Sequence, residues 1–148
     1  MRALIQRVTK ASVTVESAKI SEINKGILIL LGITQGDNEK DIQYLLEKIS
    51  NLRIFEGADG KLDLSILDTK GEFLLVSQFT LYGDCNKGRR PDFNSAAPIE
   101  EARTVFQKAC EMFQNSSVPT KTGQFQANMQ VELINDGPFT LMIESKKV

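Results

Sequence analysis

The stretch Gly26–Thr34, which reads GILILLGIT, decides the class of fold. Its apolar residues follow one another without alternation over the length of a single strand. A strand with this pattern is buried on both faces, so it belongs inside a layered fold. A second apolar run, FLLVSQFTLY at 73–82, predicts a second buried strand of the same kind.

Two amphipathic helices accompany these strands. After Gly36, the apolar residues of segment 41–50 recur at helical spacing, and Asp37 or Asn38 precedes them as the N-cap. Pro98 suits the first turn of a second helix, with acidic residues near its positive end. The apolar face of that helix comprises Ala102, Val105, Phe106, Ala109, Met112 and Phe113.

The two ends of the chain read as hairpins. At the start, ALIQRV at 3–8 and ASVTVES at 11–17 predict two strands joined at Thr9–Lys10. At the end, Asn135–Pro138 separates two further runs, NMQVELI and FTLMIES, which predict two antiparallel strands. Pro138 is unusual there, because a proline removes a backbone donor where a returning strand begins its ladder.

The chain has 148 residues, enough for one domain with one sizeable core. We expect residues 1–148 to form a single α/β domain in which two helices cover one side of partly layered strands. No apolar run reaches the roughly 18 residues of a membrane span. Residues 1–8 alternate in polarity and carry Arg7, which is not the pattern of a secretory signal.

Composition excludes several classes of function. The chain has no histidine, so Ser-His-Asp and Cys-His mechanisms and histidine metal sites are excluded. Cys85 and Cys110 lie far apart, which suggests a reducing cytosol and argues against zinc, although a disulfide between them stays open as an alternative. A net charge of −1 argues against a protein that coats long nucleic acid, but not against one that grips a short end.

The polar segment 83–98, GDCNKGRRPDFNSAAP, is long enough to suspect function. Its first residues resemble the phosphate-binding loop motif, with Gly83 and Gly88 at the spacing of the two glycines. That motif requires lysine and then serine or threonine after the second glycine, whereas Arg89 and Arg90 follow here. We therefore reject a nucleotide triphosphatase. On charge alone we favour an ordinary solvated loop; the alternative is that Lys87, Arg89 and Arg90 bind the phosphates of a nucleic-acid end.

The stretch SQFTL at 77–81 ends an apolar strand with polar side chains. Strand alternation would place Gln78 and Thr80 on one face and Ser77 and Phe79 on the other. The stretch has two interpretations. It is either a strand running out into solvent or a backbone edge that offers N–H groups to a carbonyl.

Three motifs, taken together, point to a family. MRALIQRV, SQFTLYGDCNKGRRPDF and NDGPFT resemble the bacterial D-aminoacyl-tRNA deacylases in order and approximate position, and the resemblance covers essentially the whole chain. It implies an esterase without metal or cofactor, which hydrolyses the ester between a D-amino acid, or mischarged glycine, and the 3′-terminal adenosine of tRNA. It also implies a homodimer with active sites at the subunit interface, and a three-layer fold of barrel-like strands and helices.

The resemblance assigns roles to individual residues. The catalytic stretch maps onto Ser77, Gln78, Phe79 and Thr80. With tRNA as the substrate, we expect Lys87, Arg89 and Arg90 of the basic loop to bind its phosphates. The chirality-selecting Gly-cis-Pro element maps onto Gly137 and Pro138, with Arg7 as its support and Met129 near the pocket. The chain departs from the family's usual residues at Ser17, Gln126 and Phe139.

Backbone N–H groups around Phe79 and Thr80, with Gln78, are expected to hold the oxyanion while water attacks. Thr80 ranks lower as a nucleophile, because nothing in the sequence would deprotonate it. Two rival functions stay open: a non-catalytic dimeric module that binds RNA ends, and an esterase of relaxed chirality.

Overall fold

A computed structural model describes residues 1–146 of the chain. Within these residues the strands are Arg2–Val15 (β1), Ala18–Ile23 (β2), Gly26–Gly32 (β3), Phe55–Glu56 (β4), Leu62–Leu64 (β5), Glu72–Ser77 (β6), Thr120–Thr122 (β7) and Met129–Glu144 (β8). The helices are Glu39–Asn51 (α1), Ile66–Thr69 (α2) and Ile99–Gln114 (α3), and Phe79–Tyr82 forms a 3₁₀ helix.

The main sheet curls until it nearly closes into a barrel. Its strand order is β2-β1-β3-β6-β7, and β8 pairs with β1. The β3–β6 and β6–β7 pairs are parallel, whereas β1 pairs antiparallel with β2, β3 and β8. Strands β2 and β7, at the two ends of this order, are joined by side-chain hydrogen bonds. Ser21 Oγ donates to the Thr122 carbonyl at 2.7 Å, and Lys121 Nζ donates to the Glu22 carbonyl at 2.7 Å.

Strand β3, from the apolar stretch Gly26–Thr34, is buried on both faces, as predicted, because it separates two cores. Ile27, Ile29 and Leu31 of β3 pack into the core beneath the helices. Leu28 points the other way, into a smaller core inside the curled sheet. Strand β6 alternates between the same two cores, so two adjacent parallel strands form the middle layer of the fold.

Both predicted helices are confirmed. Helix α1 begins after Asn38, whose side chain accepts from the Lys40 backbone N–H, and Asp41 completes a capping box. Helix α3 follows Pro98 and buries one face against the helix-side core through Ala102, Phe106, Ala109 and Phe113. The short helix α2 was not predicted, since four residues carry too little periodicity to read.

The predicted N-terminal hairpin at Thr9–Lys10 is wrong. Strand β1 runs straight through these residues, because its first half pairs with β3 and its second half with β2. The chain reverses instead at Glu16 and Ser17, whose φ angles of 49° and 64° fit a two-residue turn between Val15 and Ala18.

The predicted C-terminal hairpin is also wrong, and the correction explains Pro138. Strand β8 is continuous and pairs with β1 along its length. Gln6 pairs with Thr140 and Val8 with Asn135, so Arg7 alone lies opposite the four residues 136–139. The proline stands in this bulge, within a strand that does not return. The sheet ladder there requires no N–H from it.

Candidate active site

A cavity of about 620 Å³ opens at the carboxyl end of β6. Its lining is mostly apolar, with amide and hydroxyl groups at the end of the strand. The lining residues are Ile33, Ser77, Gln78, Phe79, Ala97, Ile99, Ala102, Phe125, Gln126, Ala127, Asn128, Met129 and Val131. Met129 and Val131 alternate with polar residues in β8, and that spacing is the sequence signal for the wall they form.

The strand-alternation prediction for SQFTL is wrong, because β6 ends at Ser77 and the chain turns into the 3₁₀ helix. The Gln78 N–H donates to the Leu31 carbonyl of β3 at 2.8 Å. The Phe79 and Thr80 N–H groups open the 3₁₀ helix and so have no acceptor inside it. The Gln78 amide donates to the Thr80 hydroxyl, and Thr80 itself stays outside the cavity lining.

The opposite wall is held by an arginine that sequence reasoning missed. Arg103 of α3 donates from Nη2 to Gln126 Oε1 at 2.6 Å, and its guanidinium lies 4.9 Å from the centre of the Phe125 ring. Gln126 has a φ of 60°, in the left-handed region where a non-glycine residue is strained. The departure from glycine at this position was the available signal.

Arg7 anchors the bulge from behind. It is 5% exposed, and its guanidinium donates to the carbonyls of Ile54 at 2.6 Å, Asp136 at 3.2 Å and Gly137 at 3.5 Å. It also pairs with the Asp136 carboxylate at 3.1 Å. The Gly137–Pro138 peptide bond is cis, as the resemblance implies, and both residues are exposed.

Within one chain the structure does not bring the bulge to the cavity. Ala3, Leu31 and Ser77 lie in one row of register partners, next to the cavity. Arg7 lies four residues further along β1, a distance of about 13 Å along the strand. Gly137 and Pro138, which Arg7 holds, are absent from the cavity lining among the described residues.

The basic loop extends beside the cavity. Asp84 and Asp92 exchange backbone hydrogen bonds of 2.7 and 2.9 Å at its base. Lys87, Arg89 and Arg90 are exposed at its tip. Within residues 1–146, no carboxylate lies within the 4.0 Å of an ion pair with any of the three.

The cavity offers amides, hydroxyls and backbone N–H groups as its polar chemistry. Both cysteines are free, and burial raises the pKa of the Cys110 thiol to about 11. Among the described residues, no group of three or more cysteine, aspartate or glutamate side chains is arranged to hold a metal ion. No helix in that part of the chain is long and apolar enough to cross a membrane.

The amino-acid sequence of the chain is similar to those of known proteins. The chain matches the family model described as D-Tyr-tRNA(Tyr) deacylase over residues 4–144. A protein named D-aminoacyl-tRNA deacylase from Thermosipho africanus is 52% identical over 148 residues, which cover 100% of this chain and 99% of that protein. One of the same name from Fervidobacterium nodosum is 53% identical over the same shares.

Two solved structures share the fold. The structure titled c-Myc DNA Unwinding Element Binding Protein matches with a TM-score of 0.93 and 44% identity, covering 99% of this chain and 100% of that chain. A probable eukaryotic D-amino acid tRNA deacylase matches with a TM-score of 0.78 over 97% of this chain and 98% of that chain. Its identity is 15%, so it supports the fold alone.

Proposed function

This chain belongs to the D-Tyr-tRNA(Tyr) deacylase family, and from that premise we propose that it hydrolyses the ester that joins a D-amino acid to the 3′ end of tRNA. The products are free D-amino acid and tRNA, so the enzyme acts in translation proofreading. We place this activity in the cytoplasm, where charged tRNA is used.

The observation that carries the proposal is the cavity at the end of β6. Ser77, Gln78 and Phe79 line it together, and the N–H groups at the start of the 3₁₀ helix are not used inside that helix. Such donors stabilise the oxyanion that forms when an ester carbonyl is attacked, and one donor is typically worth about 2.7–4 kcal/mol. An aminoacyl ester is already activated, so it requires less assistance than an amide.

Water is the proposed nucleophile, positioned by the 2′-hydroxyl of the substrate's terminal ribose. Thr80 is a weaker candidate, because its hydroxyl accepts from Gln78 and has no histidine or other base to take its proton. The proposed reaction uses no metal and no cofactor. The cavity's amides, hydroxyls and backbone dipoles are the groups that would support water attack on the ester.

Rejection of L-amino acids is assigned to Gly137 and Pro138 of a second copy of the chain. In one copy these residues are exposed and held from behind by Arg7, remote from their own cavity. A homodimer that places them in the partner's cavity would let their carbonyls accept from the substrate's α-ammonium. They would then occupy the space of an L side chain, and a rigid backbone suits such exclusion.

Glycine should also be removed from tRNA under this mechanism. Steric exclusion acts on the side chain of an L-amino acid, and glycine has none to exclude. We therefore propose mischarged glycyl-tRNA as a second substrate of the same site.

The test is a deacylation assay on matched D-tyrosyl-, L-tyrosyl- and glycyl-tRNA. We expect release of D-tyrosine and glycine but not L-tyrosine. Treatment of the protein alone with EDTA should leave the activity unchanged, provided that Mg²⁺ is present in the assay for tRNA folding. Tight binding without turnover would favour the rival function, a non-catalytic module that binds RNA ends. One structural match, titled c-Myc DNA Unwinding Element Binding Protein, is named for nucleic-acid binding. Equal rates on D and L esters would favour the esterase of relaxed chirality.

A further inference from the structure

Two exposed phenylalanines lie between the cavity and the basic loop. Phe79 is 56% exposed and Phe93 37% exposed, and their rings meet edge to face with centroids 5.2 Å apart. Phe79 belongs to the cavity lining, whereas Phe93 belongs to the loop that carries Lys87, Arg89 and Arg90. The order across the surface is therefore cavity, Phe79, Phe93 and basic loop.

The Phe93 ring packs against the chain on one side, and hydrogen bonds hold the backbone around it. It packs against Gly83, where an added Cβ would lie 2.9 Å from Phe93 Cε1. The preceding Asp92 accepts from the Asn94 N–H at 2.7 Å, and the Phe93 carbonyl accepts from the Ala96 N–H at 3.0 Å. An exposed aromatic face that is held rigidly can stack a ligand at little cost in conformational entropy.

We propose that the Phe79–Phe93 pair stacks the base of the nucleotide that precedes the terminal nucleoside of the RNA substrate. Lys87, Arg89 and Arg90 then bind the phosphates that follow along the strand. The inference rests on the proposed function. With the ester bound in the cavity, the terminal nucleoside lies at its mouth, and the preceding nucleotide lies on the surface beside it. This inference assigns a second nucleotide subsite and makes an unpaired single-stranded end part of what is recognised.

Charge favours RNA as the occupant of this surface. Arg2, Arg7, Arg53 and Arg103 each pair with a carboxylate of the chain, whereas Arg89 and Arg90 pair with none within residues 1–146. Cations left without an internal partner beside an exposed aromatic face are the combination that binds single strands. Bases in an unpaired RNA end are free to splay out and stack on such a face.

The first test compares one amino acid on three carriers: adenosine, a single-stranded trinucleotide and whole tRNA, each bearing D-tyrosine. In the wild type, the trinucleotide ester should be a better substrate than the adenosine ester through a lower KM. Phe93→Leu should reduce that advantage by about tenfold, since one stacked base contributes about 1–3 kcal/mol. Phe93→Tyr, which keeps an aromatic face, should retain it.

The second test does not depend on hydrolysis. An uncharged trinucleotide with 2-aminopurine at its middle position should lose fluorescence when it binds the wild type and Phe93→Tyr, but not Phe93→Leu. Tyr44→Leu is the matched control, because Tyr44 is an exposed aromatic residue with Lys48 beside its ring on α1. It should behave as wild type in both assays.

An unchanged advantage of the trinucleotide in a folded Phe93→Leu, or binding without quenching in the wild type, would overturn the proposal. Failure of every ester to react would instead count against the proposed function, and the quenching result would still decide the stacking site. If Phe93→Leu does not fold, wild type and Phe93→Tyr compared in the quenching assay decide it.

Discussion

The bulge at 136–139 and the cavity wall at 125–127 are both held by an arginine, but in different ways. Arg7 is buried and donates to three backbone carbonyls, so it fixes the bulge while leaving its outer surface bare. Arg103 has a side chain 43% exposed and holds one side-chain amide, that of Gln126. The first arrangement makes a rigid projection, and the second shapes a recess.

Under the proposed function, the recess and the projection are the two halves of one site. The recess has room for a ligand and has donors at the end of β6, whereas Gly137 and Pro138 of the projection are exposed and do not line that cavity. Because the two halves lie apart on the same sheet, we propose that the recess of one copy is completed by the projection of a second copy.

The largest effect is expected in the recess. Gln78→Ala should lower kcat on D-tyrosyl-tRNA by about 100-fold or more, the usual cost of one oxyanion donor. Thr80→Ala should lose less than about tenfold, because its backbone N–H survives truncation. Single-turnover kinetics measures both. A trapped acyl-Thr80 species, or complete inactivity of folded Thr80→Ala, would instead identify Thr80 as the nucleophile.

The projection should be nearly as sensitive. Arg7→Gln removes the donor to two carbonyls of the bulge, those of Asp136 and Gly137, so we expect activity to fall by about 100-fold through misplacement. The free energy of unfolding should fall by about 2 kcal/mol. Asp136→Asn, which keeps the carbonyl contact, should lose much less. Arg53→Gln removes an exposed pair and should be neutral. Full D-selective activity in folded Arg7→Gln would remove the bulge from the mechanism.

The basic loop belongs to neither half, so its loss should affect binding alone. Lys87→Ala with Arg89→Ala should raise KM for tRNA by about tenfold and reduce the slope of log K against log salt by about 1.4. Lys40→Ala with Lys61→Ala is the control of equal charge. A collapse in kcat at saturating substrate would place the loop in the chemistry.

The smallest effect concerns strain. Ser17 and Gln126 both have left-handed φ angles, but within residues 1–146 only the Gln126 side chain has a hydrogen-bond partner, Arg103. Ser17→Gly should therefore raise the free energy of unfolding by about 1 kcal/mol. The increase in the free energy of unfolding should be smaller for Gln126→Gly, because this substitution also removes the hydrogen bond to Arg103, worth about 1 kcal/mol. Urea unfolding measures both, and an equal gain would mean that Arg103 does not secure the wall.

Sequence reasoning succeeded where the pattern is local. The apolar run at 26–34 and the two helices follow from residue spacing and caps, and both are where they were predicted. The two hairpins were wrong, because β1 and β8 are single long strands: β1 changes partner from β3 to β2 midway, and β8 stays paired with β1 across a bulge. A bulge and a turn look alike in sequence, since both interrupt an apolar run with Asn, Asp, Gly and Pro.

The candidate site was predictable only in part. The end of β6 was visible as polar residues that follow an apolar strand, but its turn into a 3₁₀ helix was not. The distant walls at Ile33, Ala97 and Phe125 come together through tertiary packing that no spacing reveals. Nor does the sequence of one copy show that the bulge and the cavity lie apart, which depends on strand register.

The most direct test of the shared site is complementation between two defective copies. Gln78→Ala and Arg7→Gln, each nearly inactive alone, should be unfolded together in equal amounts and refolded, with different tags to verify mixed dimers. Half of the dimers would be mixed, and each would hold one site with an intact cavity and an intact bulge, so about a quarter of wild-type activity should return. If mixed dimers form and the mixture stays as inactive as its parts, the bulge does not act in the partner's cavity.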